Sequence, residues 1–104
     1  ALAKMKKTAL LVNTARGAVV DPKALYEALK TGVIQAAALD VTVPEPIAKD
    51  DPLLTLDNCL VVPHIATSTW EARTAMTVLS IDNLLNGLAG DPMPHCANPE
   101  VYQR

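Results

Sequence analysis

Residues 8–40 read TALLVNTARGAVVDPKALYEALKTGVIQAAALD, and the order of signals in this stretch decides the fold. Ala9-Leu10-Leu11-Val12-Asn13 predicts a strand over about 8–13, apolar enough without interruption to expect burial on both faces. Thr14-Ala15-Arg16-Gly17 follows as a turn, in which Gly17 is expected to adopt dihedrals closed to other residues. Asp21-Pro22 then starts a helix. Asp21 caps the free amides, and Pro22 suits the first helical position. Ala24, Leu25, Ala28 and Leu29 form its inward face, Lys30 lies near its end and Gly32 stops it. A second strand, about 34–39, begins two residues later. A strand–helix–strand unit this short makes a right-handed parallel crossover.

Downstream, Val41 to Asn58 is a long connection whose Pro44, Pro46 and Pro52 fix its path and exclude regular structure through most of it. Leu53, Leu54 and Leu56 are expected to anchor one short turn on the core. Cys59-Leu60-Val61-Val62 predicts a third strand, followed by Pro63-His64-Ile65-Ala66-Thr67-Ser68. Ser68 and Glu71 have the spacing of a capping box, opening a helix over about 69–89. Its apolar positions Ala72, Ala75, Met76, Leu79, Leu84, Leu85 and Leu88 recur at helical spacing, and Gly87 and Gly90 mark the exit. Residues 91–104 are expected to be an extended tail. Upstream, Leu2 to Lys7 reads as the end of a helix. With no initiator Met, the expectation is the C-terminal part of a longer protein.

Composition bounds the partners. The 104 residues are half hydrophobic, enough for one modest core, and carry a net charge of −2. Basic residues are scattered, with Lys4, Lys6 and Lys7 as the only run, and the aromatics are just Tyr26, Trp70 and Tyr102. Nucleic acid is therefore not an expected partner. No run of about 18 apolar residues exists to cross a membrane. Cys59 and Cys96 imply reduced thiols in a cytoplasmic setting rather than a disulfide framework. The two cysteines with His64 and His95 lack metal-ligand spacing, so no metal is expected. No G-x-S-x-G elbow supports a nucleophile, and no G-x-G-x-x-G loop is present to hold a pyrophosphate.

Parallel strands bring Arg16, Asp40, Glu45 and His64 to one sheet edge, where open α/β sheets place ligands. Arg16 reads as a surface arginine or as a fork for a carboxylate. His64 alone reads as a satisfied core histidine. A carboxylate at Glu45 changes that weighing, since a carboxylate bonded to an imidazole fixes its tautomer and favours the protonated ring. Asp40 reads as a loop cap or as an acceptor for a ligand. Asp50, Asp51 and Asp57 read as solvated loop residues. An anion-gripping Arg with a carboxylate-paired His suits reduction of a 2-keto acid. Arg16 holds the carboxylate and polarises the carbonyl, while His64 protonates the developing alkoxide. The hydride has to come from a cofactor.

Val12-Asn13-Thr14-Ala15-Arg16-Gly17, Leu39-Asp40-Val41-Thr42-Val43-Pro44-Glu45-Pro46 and Pro63-His64-Ile65-Ala66-Thr67-Ser68-Thr69 resemble, in order and with equal spacing from Arg16 to Asp40 to His64, three signature blocks of the D-isomer-specific 2-hydroxyacid dehydrogenases. Asp51 to Cys59 and Gly90-Asp91-Pro92-Met93-Pro94 are most similar to the glyoxylate/hydroxypyruvate reductases within that family. The resemblance implies an α/β fold: the C-terminal part of a Rossmann-like parallel sheet of three strands, with a long C-terminal helix and an extended tail. Residues 1–68 would be half of a dinucleotide-binding domain, 69–90 a helix leading back toward an absent substrate domain, and 91–104 the tail. It implies His64 as proton donor with Glu45 bonded to it, and Arg16, His64, Ile65, Ala66 and Thr67 around a small 2-keto or 2-hydroxy acid. Thr14, Ala15, Arg16, Asp40 and His64 would line the side of NADP(H) or NAD(H). The parent is expected to be a homodimer, and the fragment alone is expected neither to bind cofactor tightly nor to turn over. Ala66-Thr67 departs from the Gly-Ser that relatives often carry, adding methyls beside the nicotinamide. The alternatives are a dinucleotide-sensing corepressor-like scaffold, which shares the Arg, Glu and His positions, or an inactive truncated product.

Overall fold

The three apolar runs pair in parallel in the order β1-β2-β3, with β1 at Leu10–Asn13, β2 at Ala36–Leu39 and β3 at Cys59–Val61. The computed structural model describes residues 1–103. Contact density separates two units, Ala1–Ala66 and Thr67–Arg104. The sheet belongs to the first. Its strands are shorter than the apolar runs that encode them: residues 34 and 35 lead into β2 without joining it, and Val62 lies beyond β3.

Register fixes which side chains share a face. Leu11 pairs with Ala37 and Asn13 with Leu39, while Ala37 and Leu39 pair with Cys59 and Val61. That set faces α1 (Pro22–Lys30), whose Leu25, Ala28 and Leu29 join Ile34, Ala37, Leu39 and Leu53 in the buried core. Ala24, expected on the inward face, is exposed instead. The Asp21 carboxylate caps α1 by accepting from the Lys23 and Ala24 amides, with Pro22 at the first position. Gly32, at φ 69°, supplies the left-handed residue past the helix end.

The opposite face of the sheet departs from the expectation of two-sided burial. Leu10, Val12 and Leu60 are 64%, 67% and 62% exposed. Side chains alternate along a strand, so one half of each apolar run is packed on α1 and the other half is open. The run of hydrophobics announced two buried faces, but within the first unit α1 covers one of them.

Most of the Val41–Asn58 connection is irregular, as the prolines dictate. The peptide bonds before Pro44 and Pro46 are cis. A single 3-10 turn, Pro52–Thr55, seats Leu53 in the core while Leu54 stays exposed. Asp51 caps this turn through the Leu53 amide, at 2.9 Å, so it is more than a solvated loop residue. Asn58 closes the connection, its amide donating to the carbonyls of Leu29 and Gln35 at 3.3 and 3.1 Å.

In the second unit, α2 spans Trp70–Ala89 and none of its residues is buried. The cap is Thr69, whose hydroxyl accepts from the Ala72 amide at 3.1 Å, not Ser68 as the capping-box spacing predicted. Ser68 Oγ accepts from Arg73 instead. Gly90, at φ 84°, ends α2, whereas Gly87 lies within it. The tail returns along the helix: Asn83 exchanges two hydrogen bonds with the main chain of His95, and Met93 donates to the Tyr102 hydroxyl. It closes in a 3-10 turn, Pro99–Gln103, that no periodicity announced. No helix among the described residues is long and apolar enough to cross a membrane.

Two outcomes follow from this core. Leu25 is 1% exposed, and Leu25→Ala is expected to cost about 2–5 kcal/mol in urea unfolding through lost burial and the cavity left behind. Burial of Cys59, helped by the negative charge of Asp51, raises its thiol above the ordinary range. The thiolate is the reactive form, so Cys59 should resist iodoacetamide at neutral pH and react only as the solution becomes strongly alkaline, followed by mass spectrometry.

Candidate active site

The loops leaving the C-terminal ends of the strands meet at Asp40, the residue after β2. Its N–H donates to the Asn13 carbonyl at the end of β1, and its carbonyl accepts from the His64 N–H beyond β3, each at 2.9 Å. Its carboxylate is buried, with the residue 5% exposed. There it accepts from the Ile65 amide at 2.6 Å and from the Ala66 amide at 3.0 and 3.1 Å. Burying a carboxylate is costly unless such donors replace its water. Asp40 thus acts first as the loop cap, with its carboxylate committed to two main-chain amides.

Those amides hold the next segment in an unusual shape. His64 has φ 54°, the one non-glycine residue in the left-handed region among the described residues, a conformation uncommon outside Gly, Asn, Asp and His. In that conformation its ring is hydrogen-bonded through Nδ1 to Glu45 Oε1. Both side chains remain about half exposed, lining one shallow cleft with Asp40, Thr42, Ile47 and Pro63. The bond through Nδ1 leaves Nε2 as the nitrogen that can face a ligand. Thr42 Oγ1 donates to the Pro44 carbonyl at 2.7 Å and stiffens the loop that carries Glu45.

Arg16 lies on the neighbouring loop, is exposed, and is not among the residues lining that cleft. Its guanidinium donates to the Ala15 carbonyl at 2.6 Å. No carboxylate of the chain pairs with it among the described residues. Gly17 is required here for a different reason from the one the turn suggested. A Cβ at this position would lie 2.1 Å from the Thr42 carbonyl oxygen and 2.8 Å from Val43 Cγ2. The loop after β1 and the loop after β2 therefore touch main chain to main chain.

A second, apolar cleft opens on the bare face of the sheet at the strand ends, lined by Thr14, Ala38, Asp40, Ile65, Ala66 and their neighbours. The fold thus gathers Asp40, Glu45 and His64 around one cleft and Thr14, Asp40, Ile65 and Ala66 around the other. Ala15 is exposed on the Arg16 loop, and Thr67 begins the second unit. Asn13, to which the sequence assigned no role, turns out to be buried and to bond both Ala15 and Arg16. The available signal was an Asn at a strand end ahead of a tight turn, where Asn side chains bond the amide two residues on.

The family described as D-isomer specific 2-hydroxyacid dehydrogenase, NAD binding domain, matches residues 1–66, the span of the first unit. The chain is 52% identical over 102 residues to glyoxylate/hydroxypyruvate reductase B of Pectobacterium atrosepticum, covering 98% of this chain and 32% of that protein. It is 52% identical over 91 residues to the glyoxylate reductase/hydroxypyruvate reductase of Mus musculus, covering 88% of this chain and 28% of that one. Among solved structures, a D-isomer specific 2-hydroxyacid dehydrogenase from Xanthobacter autotrophicus, in complex with NADPH and MES, superposes with a TM-score of 0.79 at 39% identity, over 96% of this chain and 40% of that one. The chain spans about a third of the length of the curated relatives it matches.

Gly17→Ala is expected to force the two loops apart, costing about 1–3 kcal/mol as overpacking does. Thermal unfolding measures the cost. An unchanged midpoint would show that the loops have room to give.

Proposed function

The chain belongs to the D-isomer-specific 2-hydroxyacid dehydrogenase family, and we propose that it supplies the acid–base and carboxylate-binding residues of an enzyme that reduces a small 2-keto acid, of the glyoxylate or hydroxypyruvate class, to the D-2-hydroxy acid. The observation that carries this reading is the hydrogen bond from His64 Nδ1 to Glu45 in a cleft at the sheet edge. Identity to reductases of that class over nearly the whole chain supports the substrate assignment.

In this reading His64 donates a proton from Nε2 to the keto oxygen as it gains charge. Glu45 holds the ring in one tautomer and balances the protonated form. Arg16 grips the substrate carboxylate through its fork and fixes which carbonyl face is presented. Ile65, Ala66 and Thr67 close the substrate side. Thr14, Ala15 and Asp40 line the cofactor side, where the apolar cleft on the sheet suits a flat ring. When bound there, NADP(H) or NAD(H) supplies the hydride that no side chain can provide. The 104 residues contain no G-x-G-x-x-G loop, so gripping the pyrophosphate is assigned to residues outside them, in a homodimeric cytoplasmic protein.

The test uses the full-length protein that carries this sequence, following NADPH oxidation with glyoxylate and hydroxypyruvate. His64→Asn tolerates the left-handed backbone and is expected to lower turnover by about 10²–10⁴ while the fold is kept. Arg16→Ala should raise KM for the keto acid and leave cofactor affinity intact. Full turnover in His64→Asn would sink the assignment of the proton donor.

A further inference from the structure

Asn13 is polar and only 6% exposed, and both polar atoms of its side chain are bonded to the main chain of the loop that carries Arg16. Its Nδ2 donates to the Arg16 carbonyl at 2.9 Å, its Oδ1 accepts from the Ala15 amide at 3.1 Å, and its own carbonyl accepts from the Asp40 amide at 2.9 Å. Two bonds therefore hold the Thr14–Ala15 and Arg16–Gly17 peptide units, with the Ala15–Arg16 unit fixed between them. A third ties the same residue to the hub that holds His64.

Arg16 needs that support. Its side chain is exposed, and among the described residues its guanidinium is bonded only to the carbonyl of the preceding residue. Among the described residues no side-chain partner sets the direction of the fork. Its placement comes from the main chain, which at Arg16 is extended, with φ −148° and ψ 145°. Gly17 limits the loop from its other side, where it meets the Thr42 carbonyl. We infer that Asn13 is a positioning residue for Arg16: its buried amide sets the main chain of the Thr14–Arg16 loop so that the guanidinium faces the substrate carboxylate.

The inference rests on the keto-acid reading of Arg16, and it predicts a specific chemistry at position 13. The residue has to accept from an amide two positions on and donate to a carbonyl three positions on. Asparagine does both at once. Aspartate keeps the first bond but sets a charge against the Arg16 carbonyl. Serine offers a single hydroxyl oxygen on a shorter arm in place of two separate groups.

The experiment measures KM, kcat and NADPH affinity in the full-length protein for Asn13→Ala, Asn13→Asp, Arg16→Ala and the Asn13→Ala/Arg16→Ala double variant. Asn13→Ala is expected to raise KM for hydroxypyruvate by roughly ten- to hundredfold, the scale at which a misplaced binding group is felt, with a loss of NADPH affinity, through Thr14 and Ala15 on the same loop, that is smaller than this rise. The double variant should be no worse than Arg16→Ala alone, because the two residues act through one contact. Should Asn13→Ala fail to fold, the isosteric Asn13→Asp carries the same reading with a smaller KM rise. Additive effects in the double variant, or a loss of NADPH affinity as large as the KM rise, would overturn the inference by showing a general structural role. Unchanged KM in Asn13→Ala alongside a raised KM in Arg16→Ala would overturn it alone. Unchanged KM in Arg16→Ala, or a wild-type protein that reduces no small 2-keto acid, would remove the functional reading and the inference together.

Discussion

Asp40 sits past the end of the middle strand with its carboxylate turned inward, away from water, against the amides of Ile65 and Ala66. The isolated charge would be expensive there, and the loop after β3 exists in its observed form because it supplies the compensating donors. The same residue joins β1 through its amide and His64 through its carbonyl. Three segments distant in sequence are thereby fixed to one another at a single point, and the His64–Glu45 pair is displayed from that point. No buried side-chain polar atom among the described residues lacks a partner, so the arrangement carries no unmet cost to offset.

Around this tie, the geometry of a parallel sheet does the rest. All three strands end on the same edge, so every loop that leaves them begins in the same place. Short strands keep the loops close together, and Gly17 brings two of them into main-chain contact. Rigidity at the edge thus comes from hydrogen-bonded main chain rather than from packed side chains. The catalytic candidates themselves stay partly solvated. Such a division suits a site that must admit a small charged molecule and still hold its own groups in register.

Much of this was legible in the residues. Asp21-Pro22 announced the start of α1 through chemistry confined to one helical turn, and the apolar runs announced the strands because burial is local to each face. The His64–Glu45 contact was accessible too, since topology placed both beyond neighbouring strand ends. What stayed hidden depends on partners far away in sequence. Nothing near Asp40 reveals that its acceptors are filled by Ile65 and Ala66. Nothing near Gly17 reveals the Thr42 carbonyl opposite it. Ser68 and Thr69 compete for one cap, and one residue of slack decided the winner by geometry that spacing rules cannot resolve. The apolar runs predicted cover on both sheet faces because composition records what a strand is made to touch, and not which segment touches it.

The left-handed turn at His64 constrains the site's evolution as well as its shape. A positive φ is inexpensive for glycine, tolerable for asparagine and histidine, and prohibitive for β-branched residues. Position 64 is therefore screened by the backbone before any chemistry is tested. Sequence drift there is channelled into a narrow set of residues, of which histidine alone titrates near neutrality. An acid–base group at this corner is one of the few outcomes the loop permits.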